Sequence, residues 1–161
     1  MDATFGTLSN EKIIEELNEV LQTDIDALGA YREAVSACEE LEVREQLLRF
    51  QRDHERHISE LGDCVRRCGG KPVQSVDLKG YIQRGFTKVA GLIGTEACLR
   101  AMLNNEKLTN SVYARHCQKG FPSDILDVLR RGLSDEQRHF AWIDSALRQR
   151  IWEQTSPVPI T

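Results

Sequence analysis

Aromatic residues make up only 6% of this 161-residue chain, and proline occurs only four times. That scarcity argues against a turn-rich sandwich or barrel, and the long runs of Leu, Glu, Ala and Arg that remain favour an all-α fold. Basic residues are not in excess: 21 Lys and Arg face 25 Asp and Glu, for a net charge of -4. With no basic run to neutralise phosphates, nucleic acid is excluded as a partner. No apolar stretch approaches the roughly 20 residues needed to cross a bilayer, so no membrane role is expected. The opening "MDATFGTLSNEK" lacks the basic-then-apolar order of a secretory signal, which implies a cytoplasmic protein. C-x-x-C is absent as well. The five cysteines, Cys38, Cys64, Cys68, Cys98 and Cys117, are odd in number and read as reduced thiols. Cys64 and Cys68 share one helical face and could clip a metal, but a buried Cys more simply acts as a small hydrophobe.

What the chain does contain is helical periodicity. The length fits a single domain over residues 1–161. Periodicity and capping residues predict helices at about 10–38, 42–68, 77–92, 95–118 and 123–152. Ser9 or Asn10 caps the first, Gly69-Gly70 stops the second, and Pro122-Ser123 opens the last; the tail "TSPVPIT" is expected to be extended and frayed. Short turns make two antiparallel hairpins, and the connection between them is long enough to travel the length of a bundle and to carry a short helix, Asp77 to Leu92. Two hairpins joined by a long crossover describe a four-helix bundle of ferritin-like connectivity.

The inward seams of these helices carry residues that an apolar core does not want. Asp24 interrupts the first seam, His54 and His57 the second, Glu106 the third, and Glu136 and His139 the fourth. An unpaired buried carboxylate costs several kcal/mol, so three carboxylates and three imidazoles need a partner that makes their burial favourable. A cation is the simplest one; internal ion pairs between the acids and the histidines are the metal-free alternative.

The spacing sharpens the case. "RDHERHISEL" and "SDEQRHFAWI" share an Asp-x-x-Arg-His core, and a shift of 82 residues superimposes Asp24 on Glu106, Tyr31 on Tyr113, His54 on Glu136 and His57 on His139. The chain reads as a duplicated helical hairpin whose pseudo-twofold axis would gather both polar sets at one place. Tyr31 and Tyr113 would then be positioned to hydrogen-bond the acids across that axis, or simply to satisfy their own hydroxyls in the core. His116, about 15 Å along the helix from Glu106, is expected to face solvent.

"LNEVLQTDIDALGAY" and "EQRH" resemble the ferritin-like superfamily, which includes bacterioferritin and rubrerythrin: a carboxylate seven residues before a tyrosine on the first helix, and a Glu-x-x-His on the fourth. The resemblance implies a pair of metal ions enclosed by one carboxylate from each of two helices and a Glu-x-x-His from each of the others. It makes Asp24 and His57 ligands to one ion, Glu106 and His139 ligands to the other, and Glu136 the bridge. His54 departs from the pattern, standing where the second bridging glutamate belongs. Asp53 and Glu55 project about 100° away and do not replace it. Three carboxylates instead of four imply an asymmetric dinuclear centre or one well-held ion, with iron, manganese or zinc compatible with the ligands. The implied activity is non-haem iron chemistry with oxygen or peroxide. No rubredoxin-like cysteine pairs are present to deliver electrons. The alternatives are a metal-buffering or metal-free scaffold protein without turnover. The apolar excess in "YIQRGFTKVAGLIG" suggests a homodimer through the crossover.

Overall fold

The computed structural model describes residues 7–76 and 78–154. Four long helices dominate: α1 (Asn10–Ala37), α2 (Leu41–Arg67), α4 (Thr95–His116) and α5 (Ser123–Gln149), with a short α3 (Leu78–Gln83) in the crossover and a terminal 3-10 turn at Ile151–Glu153. Ser9 caps α1, its hydroxyl accepting from the Lys12 amide at 3.3 Å. Cys68 and Gly69 end α2, Gly69 taking the left-handed φ of 83° that a glycine adopts without strain. The α1–α2 turn is tied to the start of α4 by the Thr95 hydroxyl, which accepts from the Glu39 amide at 3.3 Å and donates to the Glu40 carboxylate.

Helices α1 and α2 form one antiparallel hairpin, α4 and α5 the other. Across the bundle α1 packs on α4 and α2 on α5. Only the crossover allows α2 and α4 to run in the same direction. It is strapped to α1 and α4 by side chains. The Asn18 amide donates to Lys71 O at 3.1 Å and accepts from the Val73 amide at 3.0 Å, Gln22 donates to Ser75 O at 3.1 Å, and Asn105 accepts from the Thr87 amide at 2.7 Å. Buried Asp26 pairs with Arg84.

The crossover helix is shorter than periodicity suggests, because Gly85, at φ 93°, turns the chain out of helical geometry just after Gln83, and Gly91, at φ 83°, does so again before Leu92. Its expected start at Asp77 and the tail from Thr155 lie outside the described residues. Much of the apolar content of "YIQRGFTKVAGLIG" is used within the chain: Tyr81, Phe86 and Val89 are buried against the bundle, while Ile82 and Ile93 remain exposed. His116 is not at the surface but fully buried between α4 and α1; its Nδ1 lies 2.7 Å from Val112 O and its Nε2 3.0 Å from Glu16. The Glu16 carboxylate, itself paired with Lys119, holds the ring beneath it.

The buried apolar side chains form two clusters. One, at the α1–α2 turn, includes Ala34, Leu47, Leu99, Met102 and Ile143; the other, at the opposite end, includes Leu17, Leu21, Leu61, Ile125 and Leu129. Between them lies a layer of buried polar residues. Gly132 of α5 faces this layer: a Cβ there would fall 2.3 Å from Cε1 of Tyr113, whereas a Cβ at Gly29 of α1 would meet nothing within 4 Å. Gly132→Ala is therefore expected to destabilise the fold by about 1–3 kcal/mol through overpacking. Gly29→Ala should stabilise it by about 0.4–1 kcal/mol. Urea unfolding midpoints of the two variants test the contrast, and equal shifts would contradict it.

Candidate metal centre

The middle layer is built from one turn of each long helix. Asp24, His54, His57, Glu106, Glu136 and His139 are each no more than 1% exposed. Their ligand-type atoms fall into two groups, each within 4.8 Å: Asp24, His54, His57 and Glu136, then His54, Glu106, Glu136 and His139. All six side chains named by the helical seams thus meet in one place, with His54 and Glu136 common to both groups.

The first group is compact. Asp24 Oδ1 lies 2.9 Å from His54 Nδ1 and 3.2 Å from His57 Nδ1; Glu136 Oε1 lies 3.6 Å and 3.4 Å from the same two nitrogens. The second is looser, with His139 Nδ1 at 3.9 Å from both Glu106 Oε2 and Glu136 Oε2. The tyrosines complete a crossed pattern. Tyr113 donates to Asp24 Oδ2 at 2.6 Å, and Tyr31 donates to Glu106.

Two aspartates orient the imidazoles from outside. His57 Nε2 lies 3.1 Å from Asp135 of α5, and His139 Nε2 lies 2.9 Å from Asp53 of α2. Arg56 and Arg138 each bond both aspartates, at 2.7–3.0 Å. The Nε2–H of each histidine therefore points outward and its Nδ1 inward, the orientation that a carboxylate imposes on a metal-binding imidazole. Asp53 stays out of the donor groups, as its helical phase requires, but its hold on His139 was not anticipated. The signal was in the sequence, in the repeated Asp-x-x-Arg-His phrase.

Charge is poorly balanced without a cation. Burial opposes the charged form of His57, yet Asp135, Asp24 and Glu136 raise its pKa from 6.5 to about 12. Burial and the neighbouring Glu136 push Glu106 well above the carboxylate range. His139 is held neutral by burial. Asp24 and Glu136 stay ionised despite burial, Asp24 bonded to His54 and His57 and Glu136 drawn down by His54 and then His57. Among the described residues five buried atoms here make no hydrogen bond: His54 Nε2, Glu106 Oε2, both Glu136 oxygens and His139 Nδ1. Such orphaned polar atoms are rare in a folded interior, and a cluster of donors of this kind fits a bound cation.

Solved structures share the architecture. The chain superimposes on a two-domain protein with DJ-1/ThiJ/PfpI-like and ferritin-like domains from Anabaena variabilis, with a TM-score of 0.76 and 17% identity over 97% of this chain and 42% of that one. The chain thus spans less than half of that protein. It matches a dodecameric thioferritin, the bacterioferritin-related protein of Bacteroides fragilis, at TM-score 0.76 and 17% identity over 96% and 95% of the two chains. A ferritin-like, diiron-carboxylate protein of Bacillus anthracis matches at TM-score 0.71 and 17% identity over 88% and 99%. The fold is ferritin-like. Within that class, residues 12–119 match the family described as a domain of unknown function, DUF2383, and the chain belongs to it. The uncharacterized protein YhjR of Bacillus subtilis (strain 168) is 25% identical over 141 residues, 86% of this chain and 88% of that one.

His57 and Glu106 both bind protons more tightly folded than unfolded. Their contribution to the metal-free fold is full below the ordinary values of 6.5 and 4.5 and is lost as pH rises toward the raised ones. Chelator-treated protein is thus expected to unfold at lower urea at pH 9 than at pH 6. Metal affinity should change in the opposite direction, since a metal on His57 Nδ1 displaces a proton. A midpoint that rises with pH in metal-free protein would contradict this electrostatic account.

Proposed function

We propose that this protein is a metal-binding ferritin-like protein whose centre, formed by Asp24, His54, His57, Glu106, Glu136 and His139, holds non-haem iron that reacts with oxygen or peroxide. The observation that carries the reading is the set of five buried polar atoms in one layer that make no hydrogen bond. The ion-pair contacts of Glu136, Glu106 and His139, at 3.4–3.9 Å, do not replace hydrogen bonds, and each buried polar atom left without one costs about 1–3 kcal/mol. Cations in the two donor groups would take up the lone pairs of Glu106, Glu136 and His139. The structural likeness to the diiron-carboxylate protein of Bacillus anthracis gives independent support for iron. The matching hydrogen bonds of His57 and His139, 82 residues apart, support descent from a duplicated hairpin.

When bound, the metal supplies one-electron redox chemistry. The chain's own residues set its surroundings. Asp135 and Asp53 fix the imidazoles with Nδ1 inward, Tyr113 and Tyr31 orient Asp24 and Glu106, and the two apolar clusters exclude bulk water from both ends. The metal-buffering and scaffold alternatives share the bundle and differ in turnover. Among the described residues no helix is long and apolar enough to cross a membrane.

Anaerobic iron loading followed by metal analysis tests the reading. Wild-type protein should retain iron and resist urea better when loaded, by about 2.7 kcal/mol at a hundredfold excess over Kd. The double variant His57→Ala, His139→Ala should retain none, and equally negligible iron in both would end the proposal. A ferric absorption that develops with oxygen or peroxide, and repeats on re-reduction, separates turnover from passive storage.

A further inference from the structure

Resting on the metal-binding reading above, we infer that the two donor groups are unlike: Asp24, His54, His57 and Glu136 form a closed tetrahedral position for a zinc-type divalent ion, with His54 as a direct ligand. A tetrahedron with bonds of about 2.0–2.1 Å has edges of about 3.3–3.4 Å. Four of the six edges of this group, at 2.9, 3.2, 3.4 and 3.6 Å, average close to that length; the two shortest are the hydrogen-bond contacts of Asp24 Oδ1 with His54 and His57, which an ion would replace. An octahedral ion at the same bond length needs neighbours about 2.8–3.0 Å apart and opposites about 4.0–4.2 Å apart. The two contacts of Glu136, at 3.4 and 3.6 Å, fit neither.

Charge leads to the same assignment. Two carboxylates against a divalent ion, with two neutral imidazoles, make a neutral set suited to a site with no exposed member. His54 Nδ1, already 2.9 Å from Asp24 Oδ1, faces this group. Once Nδ1 is committed, the ring has no second lone pair unless it loses its remaining proton. The other position is then left with Glu106, Glu136 and His139, spaced at 3.9 Å around His139 Nδ1 and open to an ion of higher coordination number. Replacing the expected glutamate by His54 thus specialises one half of the centre rather than disabling it.

Cobalt(II) reports this geometry directly, because four-coordinate tetrahedral cobalt absorbs strongly in the visible and six-coordinate cobalt weakly. Wild-type protein is expected to develop the strong band with the first equivalent of cobalt and to lose it on adding one equivalent of zinc. His54→Glu should still bind cobalt but without the strong band. Zinc-edge X-ray absorption on the wild type, which needs no variant to fold, should give four nitrogen or oxygen neighbours at about 2.0 Å with imidazole scattering. Wild-type cobalt that is bound but absorbs weakly, an unchanged spectrum in His54→Glu, or a six-coordinate zinc shell overturns this inference while leaving the metal-binding reading standing. Failure to bind cobalt, zinc or iron overturns both.

Discussion

The constraint on which this molecule turns is electrostatic: six ionisable side chains are placed where water does not reach, and everything around them limits the cost. The free energy of burying such groups unpaired exceeds what a small domain can spare. The architecture answers by dividing the apolar core in two and confining the charge to one thin layer between the halves. Each long helix contributes to both clusters, so the layer is clamped from either side by the packing that stabilises the bundle.

Two levels of hydrogen bonding then give the layer its direction. Inside, the tyrosine of each hairpin reaches the carboxylate of the other, so that Tyr31 meets Glu106 and Tyr113 meets Asp24. Outside, the aspartate of each Asp-x-x-Arg-His phrase holds the histidine of the other. The crossing makes the hairpins interdependent, and neither can present its donors alone. Positions 82 residues apart differ at identifiable places. His54 corresponds in the sequence to Glu136, and Phe50, which packs edge-on to Tyr31, corresponds to Gly132, which leaves room for Tyr113.

The bundle and the six inward residues were legible because both obey helical periodicity, and a charge on an apolar seam stands out against it. Contacts that depend on the phase between two helices were not legible. Asp53 lies off the seam of α2, and only the crossing of α2 with α5 turns it toward His139. His116 sits on α4 where a polar residue near a helix end normally meets water, yet Glu16 of α1 covers it. In the crossover, apolar periodicity suggested a helix running to Leu92, but Gly85 and Gly91 take positive φ and cut it short.

The ring of Asp53, Arg56, Asp135 and Arg138 has one more consequence. Its aspartates are 20% and 18% exposed, yet each is a single hydrogen bond from a fully enclosed imidazole. A hydrogen-bonded connection between the interior and the solvent-facing surface therefore runs sideways through the α2–α5 groove. Surface charge on that flank, carried by Arg56 and Arg138, thus stands two contacts from the centre of the molecule.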